Sequence, residues 1–589
     1  MAFKPTSEQC DIMDAAATGK DVVVEALAGT GKTSTLELIS RENAEKSFCY
    51  IAFNKSIADE AKRRFPRNVT AATAHSFAYH HIKASRPELL DRLQSQERVP
   101  RWKQAQILRI REDFVFGDFK LRDRQLAGLV MESVARFCAS DAPEPGMHHI
   151  PRVPGMDLPE PRKALQEFVF PYVQRAWADI TSGRGQLRFM HDHYLKLASM
   201  DKNFRLPGEV VLFDEAQDAD PVVMSIVQRM QTDHGVQLIP NGDSNQQIYA
   251  WRGAIDALDQ FDAEYRLPLT ASFRFGQSIA DEANRILSLL ETPYQLQGLG
   301  PESSALAFLD NPDTVLCRTN AEAVSRLLTA QMSGIRAGLV GGTQAVQWLA
   351  QAALDLTEGR PTDHPELRAF ESWNQVREYV TEDKEARDLQ TLVNLVDDHT
   401  PQVILAAVER AVPERAAQLL ISTAHKSKGR EWNSVKLASD FPMPMSEEGL
   451  SAPELRLAYV AVTRGKQYVD SSALTPWIEP LTKPAEGERV FLTDVVTVLA
   501  DVSESQICNV MCDPEDEDRV IMTGTKYNPE LVKAQQELPF GDPKMRYRAD
   551  YAGFEKVRIV LARAAVLDVA ERFGLTVSPD AKERIEQRS

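Results

Sequence analysis

Apolar residues along this chain fall into two kinds of run. Some are short, continuous and β-branched, such as Val22 to Val24 ahead of ALAGTGKT and Val210 to Phe213 ahead of Asp214-Glu215. Runs of this length, bounded by small or acidic residues, predict strands buried on both faces of a parallel sheet. Others predict helices. Residues 79–204 are rich in helix formers, interrupted by the Pro-rich loop APEPGMHHIPRVPGMDLPEP before a helical run ending at HDHYLKL. Residues 346–415 also read as helices, with a loop at GRPTDHPEL. Near the carboxyl end, FEKVRIVLARAAVLDVAERF (Phe554 to Phe573) has apolar residues at helical spacing and predicts an amphipathic helix.

Composition narrows the class. At 589 residues the chain exceeds what one core can hold, and such a length suggests roughly three to five domains. No apolar run approaches the length of about 18 residues that a membrane span needs. The amino terminus, MAFKPTSEQCD, lacks a signal-peptide stretch, so the expectation is a cytoplasmic protein with no membrane partner. Six scattered cysteines, of which only Cys508 and Cys512 sit close, fit reduced thiols better than a zinc site. The net charge of −17 argues against coating nucleic acid by bulk charge, but leaves room for a local basic groove.

Two motifs face phosphate. In DVVVEALAGTGKTSTL (Asp21 to Leu36), strand, small-residue loop and Lys-Thr follow in P-loop order, with Ala26 where the general pattern has Gly. Amides along Ala28, Gly29, Thr30, Gly31 and Ser34 would cradle the phosphates of ATP, Lys32 would reach the β and γ groups, and Thr33 would hold Mg²⁺. In VVLFDEAQD (Val210 to Asp218), a buried strand ends in two carboxylates. Asp214 suits Mg²⁺ coordination, directly or through a bound water, and Glu215 suits the base that polarises the attacking water. A third segment, GDSNQQIYAWRGA (Gly242 to Ala254), mixes Asp243, Gln246 and Arg252, suited to nucleotide, with the large rings of Tyr249 and Trp251.

The order of motifs resembles that of superfamily 1 helicases, the UvrD/Rep/PcrA group. Pro5-Thr-Ser-Glu-Gln9 resembles their adenine-reading Q motif, GDSNQQIYAWRGA their motif III, and Leu269-Thr-Ala-Ser-Phe-Arg-Phe275 their motif IV. Ser422 to Trp432 (STAHKSKGREW) resembles motif V, and Leu457 to Arg464 (LAYVAVTR) motif VI. Within the group, AFNKSIADEA, HDHYLKL, SFRFG and KGREWNSVKL look closest to the helicase core of the F-box DNA helicases. The Q motif begins almost at the first residue, so no F-box and no ubiquitin-ligase role is expected.

The resemblance implies an α/β fold of two RecA-like P-loop domains with mostly helical insertions and a C-terminal extension. Domain 1A is expected at 1–78 and 205–268, insertion 1B at 79–204, domain 2A at 269–345 and 416–482, a short insertion 2B at 346–415, and the extension at 483–589. It implies an ATP-dependent 3′→5′ DNA helicase or translocase, using Mg²⁺ and acting on single-stranded and forked DNA in replication, repair or recombination. Gln246 would sense the γ-phosphate or its water, while Arg274 and Arg464 would supply cations to the transition state. Phe273 would stack on adenine, Gln9 would bond its edge, and Glu431 would hold the ribose. Tyr249 and Trp251 would stack on bases, with Phe53, Asn54, His75, Arg252 and His425 as further DNA contacts. A remodeller that strips recombinase from single strands would need the same motor. A helicase–nuclease would need an acid-x-Lys cluster that Gly524-Thr525-Lys526 lacks. Finally, Gln535-Gln-Glu-Leu-Pro-Phe540 resembles the hexapeptide with which bacterial proteins dock on the sliding clamp.

Overall fold

In the computed structural model the described residues are 4–475, apart from 96–98, 118, 157, 249–257, 383–386 and 442–449, together with 510–512, 519–523 and 554–558. The chain divides into two units, Met1–Lys483 and Pro484–Ser589.

The first sheet of the larger unit is built from β1 (Val22–Ala26), β2 (Phe48–Ala52) and β3 (Val69–Thr73). After an insertion that carries the small hairpin β4 (Phe114–Phe116) and β5 (Phe119–Leu121), the sheet is completed by β6 (Val210–Asp214), β7 (Gln237–Gly242) and β8 (Tyr265–Leu269). Its order is β3-β2-β6-β7-β1-β8, and every pairing is parallel. Successive strand residues face opposite sides. Val22, Val24 and Ala26 therefore join one core, with Ile12, Leu36 and Ile39. Val23, Ile51, Val211 and Phe213 join another that runs continuously into the helical insertion through residues such as Leu126, Val169 and Leu195. The strands predicted at Val22 to Val24 and Val210 to Phe213 are thus β1 and β6, buried on both faces. The β4–β5 hairpin had no counterpart in the helical reading of residues 79–204.

A short parallel pair, β9 (Ala271–Ser272) with β10 (Gln297–Gly298), leads into the second sheet. That sheet contains β11 (Ala305–Leu306), β12 (Thr314–Cys317), β13 (Ala337–Leu339), β14 (Leu419–Thr423), β15 (Trp432–Leu437) and β16 (Gly465–Asp470), ordered β11-β16-β15-β12-β14-β13. It too is all parallel. One face packs with the helices Gln344–Thr357, Trp373–Glu382, Arg387–Asp398 and Pro401–Glu409. The other packs with Gln277–Leu289 and Ala452–Val462, and takes in Leu27 and Ala28 from the loop after β1. Two RecA-like halves therefore meet at the P-loop. The two helical insertions also meet. Gln125 donates to the Arg368 carbonyl, and the buried Arg368 guanidinium pairs with Glu132 at 2.8 Å.

The second unit contains an antiparallel sheet of β17 (Val510–Cys512), β18 (Arg519–Thr523) and β19 (Phe554–Arg558). The helix predicted from Phe554 is corrected here: its first five residues form β19. Their ladder with the β-formers of Arg519–Thr523 outweighs the helical spacing, since strand preference depends on cross-strand partners. The Gln535–Phe540 hexapeptide and the rest of that helix lie outside the described residues. Among the described residues no helix is long and apolar enough to cross a membrane.

Candidate active site

The loop after β1 turns on two glycines in the left-handed region, Gly29 at φ 76° and Gly31 at φ 84°, where a side chain would be strained. The helix Lys32–Glu42 starts directly after it, so the free amides of its first turn face the loop. Lys32 Nζ donates to the carbonyls of Ala26 and Leu27 at 2.7 and 3.1 Å, and Thr30 Oγ1 to Leu27 O at 2.8 Å. Thr33 Oγ1 donates to Asp214 Oδ2 at 2.8 Å, and Tyr50 OH to the same oxygen at 2.6 Å. The last residue of β6 is thereby held against the P-loop. Ser34 sits one position further, its hydroxyl accepting from Arg64 at 3.2 Å.

The two carboxylates differ in setting. Burial and the neighbouring Glu215 charge raise the Asp214 pKa, against Tyr50, Thr33 and Lys32. Burial also acts to raise Glu215, but Lys32, Lys428, Gln217 and Arg464 outweigh it and hold its pKa below the ordinary carboxylate range. Glu215 adopts φ 54°, ψ 41°. A non-glycine residue in that region is strained, and such strain persists only where surroundings enforce it. Here Gln217 Nε2 donates to Glu215 Oε2 at 2.6 Å, while its Oε1 accepts from Asp243 N at 3.0 Å.

The second half supplies the opposite wall. Arg464, fully buried on the helix end after Ala452–Val462, donates to Gln246 Oε1 at 3.0 Å. Gln246 in turn donates to Asp243 Oδ2 at 2.6 Å. Burial, and then the charge of Arg274, pull the Arg464 pKa below its usual value. Lys428 pairs with Asp218 and donates to the Gln246 carbonyl at 2.6 Å. Tyr459 OH accepts from the P-loop amide of Ala28 at 3.0 Å and donates to Asp243 Oδ2 at 3.2 Å. Arg274 Nε bonds Glu431 at 2.8 Å, Arg274 Nη1 bonds the Thr463 carbonyl at 2.9 Å, and Lys466 reaches the same Glu431 at 3.3 Å.

Gln9 and Phe273 flank one glycine: a Cβ on Gly31 would lie 3.7 Å from Gln9 Nε2 and 3.9 Å from the Phe273 ring. The Gln9 amide is positioned by a capping box with Thr6 and donates to Thr35 Oγ1 at 2.9 Å. Phe273 is 41% exposed, leaving ring surface open beside the loop.

On the candidate DNA side, Phe53 is half-exposed and Asn54 caps the helix Lys55–Arg64 by accepting from Ile57 N at 3.0 Å. His75 bonds Asp192 at 3.0 Å and lines a cavity of about 300 Å³ with Lys55, Lys62, His191 and Tyr194. The insertion's HDHYLKL segment thus meets the helix after β3. His425 lies in the short helix Ala424–Ser427 at the end of β14. Tyr249, Trp251 and Arg252 lie outside the described residues.

The residues fit a nucleoside triphosphate with Mg²⁺. Thr33 and Asp214 offer only oxygen donors, as that cation prefers, and the buried Oδ1 of the adjacent Asn241 has no hydrogen-bond partner among the described residues. At Gly29 a Cβ would come 2.4 Å from Ser272 Oγ, so only glycine lets the loop approach the second half this closely.

Comparison with known proteins agrees with this architecture. The UvrD/REP helicase N-terminal domain matches residues 6–266, and the UvrD-like helicase C-terminal domain matches residues 343–472. The chain belongs to the UvrD/Rep helicase family. It is 28% identical over 512 residues to F-box DNA helicase protein 1 of Schizosaccharomyces pombe, covering 78% of this chain and 56% of that protein. It is 27% identical over 487 residues to F-box DNA helicase 1 of Gallus gallus, covering 76% of this chain and 47% of that protein. The chain spans about half the length of these curated relatives.

Residues of this UvrD/Rep cleft that the sequence alone did not mark include Tyr50, Gln217, Lys428 and Tyr459. Two carried a signal. Tyr50 and Tyr459 are lone hydroxyls in the apolar runs FCYIA and LAYVAV, and a buried tyrosine hydroxyl needs a partner.

Proposed function

We propose that the chain is an ATP-dependent DNA helicase or translocase moving 3′→5′ on single-stranded DNA, acting at forked or tailed substrates. One observation carries the motor part of the reading, the polarity resting on the resemblance: a continuous set of hydrogen bonds crosses from the P-loop to the second half, Ala28–Tyr459–Asp243–Gln246–Arg464. Hydrolysis chemistry and the relative position of the halves then depend on the same atoms.

In this reading Lys32 leaves its loop carbonyls to neutralise the β and γ phosphates. Thr33 and Asp214 would hold Mg²⁺, which would supply charge neutralisation at the phosphates. Glu215, kept ionised by its cationic neighbours, accepts the proton of the attacking water. Arg464 and Arg274 stabilise transition-state charge, a role that is worth roughly 10³–10⁵ in rate for arginine fingers. Gln9 and Phe273 read the base, and Glu431, beside Arg274, takes the ribose. Phe53, Asn54, His75 and His425, with Tyr249, Trp251 and Arg252, track the strand. Stacking on those rings is sequence-tolerant and contributes about 1–3 kcal/mol per base.

The test is strand displacement on duplexes bearing either a 3′ or a 5′ single-stranded tail. ATP-dependent displacement from the 3′-tailed substrate supports the proposal. Displacement from the 5′ tail alone reverses the polarity, and a wild-type chain that hydrolyses ATP but displaces neither favours a strand-bound remodeller.

A further inference from the structure

Away from the nucleotide cleft, a cavity of about 640 Å³ opens in the first insertion, lined by Lys103, Gln106, Arg109, Arg175, Arg184 and Gln186 among others. All four cations are exposed. Two helices, Arg101–Leu108 and Pro159–Thr181, end here. Helix C-termini carry partial negative charge, which would by itself account for nearby cations.

Those carbonyl ends are already met from other directions. The buried Arg92 guanidinium donates to the carbonyls of Ile180, Ser182 and Leu187 at 2.7, 2.5 and 2.6 Å. Arg175 donates to the Leu108 carbonyl. The lining carboxylate, Asp179, is also engaged: its oxygens accept from the amides of Gln186 and Leu187. Lys103, Arg109 and Arg184 make no ion pair with any described residue. The loop that presents Arg184 is closely packed. A Cβ on Gly185 would fall 1.8 Å from the Asp179 carbonyl, so the loop carrying Arg184 lies directly against the helix end.

Three uncommitted cations around one concavity stand out on a chain of net charge −17. We propose that this concavity holds the phosphodiester backbone of a DNA flank, as a contact separate from the nucleotide cleft and from the groove beside His75. The inference rests on the reading of the chain as a DNA motor. Lysine and arginine on phosphates release condensed counterions, so each phosphate contact adds about 0.9 to the salt slope of duplex binding.

The experiment compares the wild type with the triple variant Lys103→Gln, Arg109→Gln, Arg184→Gln. Equilibrium binding is measured on a forked duplex and on a single strand short enough to fill only the motor groove, over about 50 to 200 mM salt. On the fork, the log–log salt slope should become shallower by about 2 to 3, with affinity falling at least tenfold at low salt. Short-strand binding and DNA-free ATP hydrolysis should be unchanged, which also shows that the variant is folded. An unchanged slope on the fork, or an equal loss on the short strand, overturns the proposal. A wild type that binds neither DNA sinks the motor reading, and this inference with it.

Discussion

Replacing Tyr459 by phenylalanine removes one oxygen from a fully buried position and keeps the ring in its apolar core. That oxygen accepts from Ala28 N at 3.0 Å and donates to Asp243 Oδ2 at 3.2 Å. Asp243 Oδ2 keeps its bond from Gln246, so the unreplaced loss falls mainly on the Ala28 amide. A buried donor left without a partner costs about 1–3 kcal/mol. These bonds exist only where the second half meets the P-loop, so the cost falls on the engaged state. At about 2 kcal/mol, kcat for ATP hydrolysis should drop roughly 30-fold. KM for ATP should change little, because Lys32, Thr33, Gln9 and Phe273 are untouched. Steady-state hydrolysis with saturating single-stranded DNA, paired with a thermal melt, reads both. A kcat within twofold of wild type, or a loss confined to KM or to the melting temperature, would mean that the Tyr459 hydroxyl does not couple the second half to the P-loop.

Lys32→Ala should abolish hydrolysis while single-strand binding, measured by fluorescence anisotropy, persists; parallel loss of both would point to misfolding or to a shared site. Trp251→Ala should leave DNA-free hydrolysis intact and uncouple it from unwinding, since about 1–3 kcal/mol of stacking is removed from the DNA side only. Equal loss of DNA-free hydrolysis would assign Trp251 to the core. His149 and His193, both buried, have pKa values lowered to about 4, with burial as the largest cause. The His193 ring also accepts the Met190 N–H at Nδ1, which needs the neutral form. The folded pKa lies below the unfolded one, so the unfolded chain binds more protons between about pH 6.5 and 4. Stability is therefore full above that window and falls as pH drops through it, by up to roughly 3 kcal/mol for the deeply buried His193 and less for His149. Urea midpoints from pH 7 to pH 4 should fall, and His193→Gln should flatten the decline; a pH-independent midpoint would contradict this.

The parts legible in sequence were those where chemistry dictates local pattern. A P-loop needs strand, glycines and Lys-Thr in fixed order, so Ala26 to Thr33 could be read directly, as could β6 ending at Asp214. Less legible were contacts between segments far apart in the chain. Tyr459 touches Ala28 across more than four hundred residues, and Lys428 meets Asp218 across more than two hundred. No local spacing encodes such a meeting. Tyr50 looks like any aromatic strand residue until β2 and β6 pair and place its hydroxyl on Asp214. The strand at Phe554–Arg558 shows the reverse error, where helical spacing gave way to a partner strand.

In the proposed function, the cleft between the two halves is an ATPase driven by DNA. It is tested most directly by measuring ATP hydrolysis by wild type and Glu215→Gln, with and without single-stranded DNA, alongside ATP binding. The wild-type rate should rise severalfold or more with DNA, and the variant should bind ATP but not turn it over under either condition. A wild-type rate indifferent to DNA, or a Glu215→Gln rate equal to wild type, would contradict it.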